Sequence, residues 1–202
     1  AGLELMAEVG RILLDASQAG QMYAVYSHGG LTPWRILLKQ NAQVEIIGYA
    51  LPQVEILDFQ NGSGPLPRED SFRYCPPERI HSDPEELNSD LFALALIGFE
   101  FMTLKPVYDG PVDVIRQKAV RGEGSRQLYY HQDVIPKAVR DFLARALQPR
   151  REDRFQNGRD FLEQIDRLLL RPDLSGPSLL EVMQKMQTRP ASSRPMQKVS
   201  NS

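Results

Sequence analysis

Few residues in this chain are of types that could do chemistry. His28 sits in Tyr26-Ser27-His28-Gly29-Gly30-Leu31-Thr32-Pro33-Trp34-Arg35-Ile36-Leu37-Leu38, a turn rich in Gly and Pro that runs into a short apolar stretch. An imidazole there can act as a proton acceptor or as a buried, hydrogen-bonded core group. The other histidines, His81 and His131, have no ligand-like neighbours at metal-site spacing, so a metal centre is not expected. The single cysteine, Cys75, excludes an intramolecular disulfide and a cysteine metal cluster. Lying beside Pro76, it reads as a small packed side chain, and a reducing, cytoplasmic setting is the simpler expectation.

The elements that must position these residues follow from the pattern around them. With 202 residues, the chain is long enough for one domain with a real core and too short for two large ones. A formal net charge of -2 argues against a dedicated nucleic-acid surface. The longest apolar run, Leu91 to Phe99, is interrupted by Glu100, well short of the roughly 18 to 20 residues a membrane span needs. The chain opens on Ala1-Gly2 directly before a helical pattern and without an initiator Met, which suggests a fragment.

Leu3, Met6, Val9, Leu13 and Leu14 recur at helical spacing and predict an amphipathic helix to about residue 19. Gly20 ends or loosens it, and a short apolar group, Met22 to Tyr26, leads into the His28 turn. Ile36-Leu37-Leu38 and Val44-Glu45-Ile46-Ile47, separated by a polar stretch, predict a β-hairpin. From Gly48 to Pro77 no helical period survives, which predicts a loop of about 30 residues, a length usually functional or disordered. Leu91, Leu94, Ala95, Gly98 and Met102 mark a helix apolar nearly all round, hence central. Asp90 is expected to open it, its carboxylate capping the helix or turning inward. Val112 to Val120 predicts a short helix that Gly122 to Gly124 ends. Val139, Phe142, Leu143, Ala146 and Leu147 predict another, with Pro136 near its start, and Phe161, Leu162, Ile165, Leu168 and Leu169 one more. After Pro172, Gly176 and Pro177, Leu179 to Met186 is expected to form a last short helix. The tail from Thr188 to Ser202 holds Arg189, Arg194 and Lys198 and no acidic residue, and reads as a flexible basic terminus.

In order and spacing these residues resemble the C-terminal lobe of a eukaryotic-type protein kinase. That family's catalytic loop reads His-Arg-Asp-Leu-x-Pro-x-Asn before an apolar strand, and His28, Leu31, Pro33 and Ile36-Leu37-Leu38 hold their places. The chemistry-bearing positions differ: Gly29 stands for the Arg, Gly30 for the catalytic Asp and Arg35 for the metal-holding Asn. The Asp-Phe-Gly signature falls about 20 residues beyond the His in that family, which puts Gly48-Tyr49-Ala50 in its place and removes the metal-binding Asp. Val54-Glu55-Ile56-Leu57-Asp58-Phe59 echoes the preceding strand and offers Asp58 as a rival, at the expense of an insertion. Pro76-Pro77-Glu78 resembles the Ala-Pro-Glu that closes the activation segment, Arg154 the Arg that pairs with its Glu, and Asp90 the central-helix Asp that bonds the catalytic-loop backbone. Ser71 and Tyr74 sit where kinases are phosphorylated or touch substrate, although Gly29 removes the usual phosphate partner.

The resemblance implies a mainly α fold with a small β-hairpin, a kinase-like C-lobe over residues 1–171, followed at 172–202 by a short helix and the tail. It implies that His28, Glu78, Asp90 and Arg154 are structural. Phosphoryl transfer needs positioned metal ions and a carboxylate that orients the attacking hydroxyl, and glycine supplies neither. Arg35 would put a fixed positive charge where a cation sits, unless it bonds a phosphate or pairs at the surface with a carboxylate. The expected function is therefore a pseudokinase, not an enzyme, that needs no cofactor and acts as a scaffold for a protein partner. The other reading is an atypical nucleotide binder or active kinase relying on an N-lobe, whose Gly-rich loop and ATP-binding Lys are not in these residues. A third is an unrelated helical adaptor.

Overall fold

The computed structural model describes residues 1–20, 26–49 and 69–188. The described chain is mainly helical with one two-stranded antiparallel sheet. Helix α1 (Gly2–Gly20) buries Leu3, Met6, Val9 and Leu13, the stripe its spacing predicts, and adds Leu5, Ala7 and Gly10. Strands β1 (Ile36–Leu38) and β2 (Val44–Ile46) pair with Ile36 opposite Ile46 and Leu38 opposite Val44. Those four residues pack on the core, whereas Leu37 and Glu45 face outward. Period-two alternation thus sets which face the hairpin lays against α1.

After α2 (Pro77–Ile80) comes α3 (Leu87–Thr103), buried without interruption from Ser89 to Phe99. A helix apolar all round has to be enclosed, and α3 is covered by α1, by α6 (Lys137–Ala146) and by α7 (Gly158–Leu169). Phe142, Phe155 and Phe161 form a ring cluster, with centroids 5.0 to 5.3 Å apart, where α6 meets α7. Helices α4 (Val112–Val120) and α5 (Glu123–Tyr129) complete this end, and α8 (Leu179–Thr188) packs back on α1. Among the described residues no helix is long and apolar enough to cross a membrane.

Two expectations need correction. Asp90 does not open α3: Glu86 is the cap, its N–H bonded to Ser89 Oγ at 3.3 Å, and Asp90 lies inside the first turn with its carboxylate directed inward. The Gly122 to Gly124 stretch does end α4, and Gly122, at φ 67°, turns the chain directly into α5, a helix the sequence pattern does not predict. The segment before Pro77 is not wholly without helix, since Glu69–Tyr74 forms a 3₁₀ turn. The expectations for Met22 to Val25, for Asp58 and for the tail beyond Thr188 lie outside the described residues.

Close approach of α1 and α3 rests on Gly98, where an added Cβ would fall 2.1 Å from Met6 Sδ, itself fully buried. Gly98→Val should therefore overpack this contact and cost about 1–3 kcal/mol in urea unfolding; an unchanged stability would show that Met6 has room to move.

Candidate functional site

The His28 turn is held from beneath by one side chain. Asp90 Oδ2 accepts the His28 backbone N–H at 2.6 Å and Oδ1 accepts that of Gly29 at 3.2 Å. The first turn of α3 is favourable for a carboxylate, because its amide hydrogens point toward it. Gly29 lies at φ 73°, a conformation glycine enters without Cβ conflict, and so brings its N–H to the second oxygen. Burial pushes the Asp90 carboxyl up to about 7, against the two backbone bonds that favour the anion; Glu85 adds to the rise and Arg79 opposes it.

The His28 ring is fully buried, with Nε2 at 3.0 Å from the Ile47 carbonyl and the Tyr49 ring edge-on at 5.0 Å. Burial brings its value down to about 4, the Ile47 bond resisting and the charges of Arg35 and Arg79 assisting. The imidazole is therefore neutral near pH 7. A carbonyl can only accept, so Nε2 carries the proton and Nδ1 does not. Nδ1 has no partner among the described residues. Enclosed in this way, His28 is a buried, hydrogen-bonded group.

Gly30, Arg35 and Gly48 also lie at or near this turn. Gly30 is buried and contributes no side chain. Arg35, in the 3₁₀ turn Pro33–Arg35, directs Nη1 to the Gly48 carbonyl at 3.4 Å. Gly48 is at φ 80°, and a Cβ on it would come within 2.0 Å of that nitrogen. Arg35 and Gly48 thus fit each other: the guanidinium occupies the space a side chain at 48 would need. Among the described residues no group of three or more His, Cys, Asp or Glu could hold a metal ion. What this arrangement supplies is a fixed cation beside a turn without a carboxylate side chain.

Glu78 and Arg154, distant in sequence, meet in the interior. Arg154 donates from Nη1 and Nη2 to the two Glu78 oxygens at 2.8 and 2.9 Å, from Nε to the Gln148 carbonyl at 2.7 Å and from Nη2 to the Pro149 carbonyl at 3.0 Å. Its guanidinium stacks over Phe92, 4.6 Å from the ring centre. Ser89 Oγ donates to the same carboxylate. Burial alone would raise the Glu78 value, but the bonds and charge of Arg154, with Ser89, outweigh it and hold the carboxyl below its ordinary range.

Other candidates stand apart from this turn or play scaffold parts. Tyr74 is buried, with its hydroxyl donating to Glu100 Oε2 at 2.5 Å and its ring meeting that of Trp34 edge-on at 5.7 Å; Ser71 is half-buried on the 3₁₀ turn before it. A phosphate on Tyr74 would have to displace the Glu100 bond. Cys75 is buried and its thiol is pushed up to about 11, so little thiolate forms at neutral pH. His81 is exposed, and His131 lies edge-on to Phe99 at 5.1 Å. Two contacts had no sequence signal: Tyr74 with Glu100, and the forked pair of Arg79 with Glu85 at 2.7 and 2.5 Å.

No protein-family model matches the sequence, and a search of curated proteins finds no match.

Breaking the interior pair from one side should cost far more than removing it. Arg154→Met strands the Glu78 carboxylate and should lose about 3–5 kcal/mol, whereas Glu78→Met with Arg154→Met should recover most of that loss. Equal losses in the single and double variants, by urea unfolding, would rule out charge pairing as the reason for the contact.

Asp90 and His28 pull the pH dependence of stability in opposite directions. Asp90, at about 7 when folded and roughly 3.9 when unfolded, contributes fully below the lower value and loses that contribution as pH rises through the higher one. His28, at about 4 when folded and roughly 6.5 when unfolded, contributes above the higher value and loses it as pH falls through the lower. Between about pH 4 and 6.5 the two slopes oppose each other. Unfolding free energy should be nearly flat there in the wild type, fall on acidification in Asp90→Asn, and rise in His28→Gln. Parallel curves for all three would refute the compensation.

Proposed function

We propose that the chain is a pseudokinase module: a kinase-like C-lobe over residues 1–171, without phosphotransfer activity, that works as a regulatory scaffold for a protein partner. The observation that carries this reading is the combination at one turn. Asp90 holds the backbone of His28 and Gly29 by two hydrogen bonds, while position 30 has no side chain and the Arg35 guanidinium reaches the Gly48 carbonyl. The turn retains what orients it and lacks what would react. The buried Glu78–Arg154 pair and the enclosed α3 support the same reading, because they link the start of α2 to the helical core in the order the family uses.

A metal-bound nucleotide has little to hold it in this reading. Two divalent ions bridging phosphates need carboxylate or amide oxygens at positions where Arg35 and Gly48 stand, and Gly30 leaves no carboxylate to orient a hydroxyl. A cofactor, nucleic acid and a membrane are not called for, and the setting we infer is cytoplasmic. The surface offered to a partner is that of the outer helices.

Thermal unfolding with increasing ATP, with and without magnesium, tests this directly, because a ligand bound only by the folded chain raises Tm by mass action. The expected result is no magnesium-dependent rise. A clear one would replace the scaffold with the nucleotide-binding reading and bring Asp58 back as the metal-holding residue.

A further inference from the structure

Where α5 runs into α6, Tyr129, Tyr130 and Val134 are 71, 72 and 57% exposed. The backbone that presents them is well held. Leu128 and Ile135, on either side, are buried, and His131 meets Phe99 edge-on at 5.1 Å. The N–H groups of Tyr130, His131, Val134 and Ile135 donate to carbonyls three or four residues back, at 2.9 to 3.3 Å. Exposed rings on a fixed backbone are ready anchors, since little ordering entropy remains to be lost when they are buried.

Two arginines border the rings. Arg140 of α6 sets its guanidinium 5.9 Å from the Tyr129 ring centre, and its Nε is buried with no partner among the described residues. A donor in that state gains from an acceptor brought to it. Arg126 lies three residues before Tyr129 and four before Tyr130, which puts it on the same face of α5, and it is exposed. Among the described residues neither arginine forms an ion pair, whereas Lys137 is paired with Asp141. Asp133 is the only acidic residue between Glu123 and Asp141. The wider region is biased the same way: residues 112–146 hold seven basic residues against four acidic, in a chain of net charge -2.

Tyrosine and arginine together make up the hot spots of protein interfaces. The charge selects the occupant, because unneutralised guanidiniums call for carboxylates while the rings call for an apolar side chain beside them. A nucleic acid fits less well, since its affinity depends on neutralising a row of phosphates and the rest of this chain is acidic. We propose that the α5–α6 connection docks a short acidic segment of another protein, whose carboxylates meet Arg126 and Arg140 and whose apolar side chain lies on Tyr129 and Tyr130. The proposal rests on the scaffold reading for there being a protein partner. The ATP titration tests nucleotide binding separately, so the two can fail independently.

Random-peptide display on the immobilised full chain tests the site, with the enriched peptides remade and their Kd measured by fluorescence anisotropy. The enriched peptides should carry adjacent acidic residues and an apolar one, and bind more weakly as salt is raised. Arg126→Glu and Tyr130→Ala should each raise Kd about tenfold or more, with circular dichroism unchanged because both side chains are exposed. No enrichment, enrichment of peptides without acidic residues, or an affinity indifferent to either substitution overturns the proposal. So does tighter binding of a single-stranded oligonucleotide, or of phosphatidylserine vesicles, that the same two substitutions abolish.

Discussion

The buried pair of Glu78 and Arg154 is the contact on which the arrangement of this chain depends. Two charges taken out of water cost several kcal/mol each, and their attraction offsets that only if the remaining donors and acceptors are also satisfied. Here they are nearly so. Arg154 directs its guanidinium to both Glu78 oxygens and to the carbonyls of Gln148 and Pro149, and lays its face on Phe92. Glu78 also accepts from Ser89, in the first turn of α3. One ion pair thus fixes three distant parts of the chain: the start of α2, the start of α3 and the turn before α7. An apolar pair of similar volume could fill the same space, but it would not define the register in which these parts meet.

Ser89 and Asp90 are neighbours in sequence and serve opposite ends of that arrangement. Ser89 bonds Glu78, while Asp90 bonds the backbone of the His28 turn. Any shift of α3 along its axis would therefore disturb both contacts. The shift is resisted by Gly98, whose missing side chain lets Met6 of α1 pack against the helix backbone. The His28 turn is consequently positioned by the central helix and not by its own sequence, which is rich in glycine and would otherwise be conformationally free. Burial acts on both of its titratable groups, pushing the Asp90 carboxyl up to about 7 and the His28 imidazole down to about 4.

Much of the fold was legible because periodicity reports burial. The stripes of α1, α6 and α7 are regular, and the unbroken apolar run of α3 could only be central. Boundaries were less readable. Asp90 looked like a cap by residue type, but Glu86 holds that place, since an acceptor needed inside the fold resembles an acceptor needed at a helix end. Helix α5 is short and flanked by glycine, so its single buried leucine, Leu128, makes no stripe. At the candidate site, residues identified by resemblance, Glu78 with Arg154 and Asp90 with His28, do meet. Tyr74 with Glu100 and Arg79 with Glu85 could not be foreseen, because a pairing between separate elements leaves no periodic trace.

The contacts that support the His28 turn are separate from the side chains it carries. Asp90 acts on the backbone N–H groups of His28 and Gly29, which every non-proline residue carries, so its contacts use no side chain of the turn. Glycine at 29 even eases them by reaching φ 73° without a Cβ. The Arg35 position differs, because its guanidinium occupies the space over Gly48 and each residue constrains the other. A side chain placed at 48 would first require Arg35 to move. The Arg35 side chain and the bare Gly48 backbone are therefore a packed pair, whereas the support beneath the turn acts on backbone groups alone.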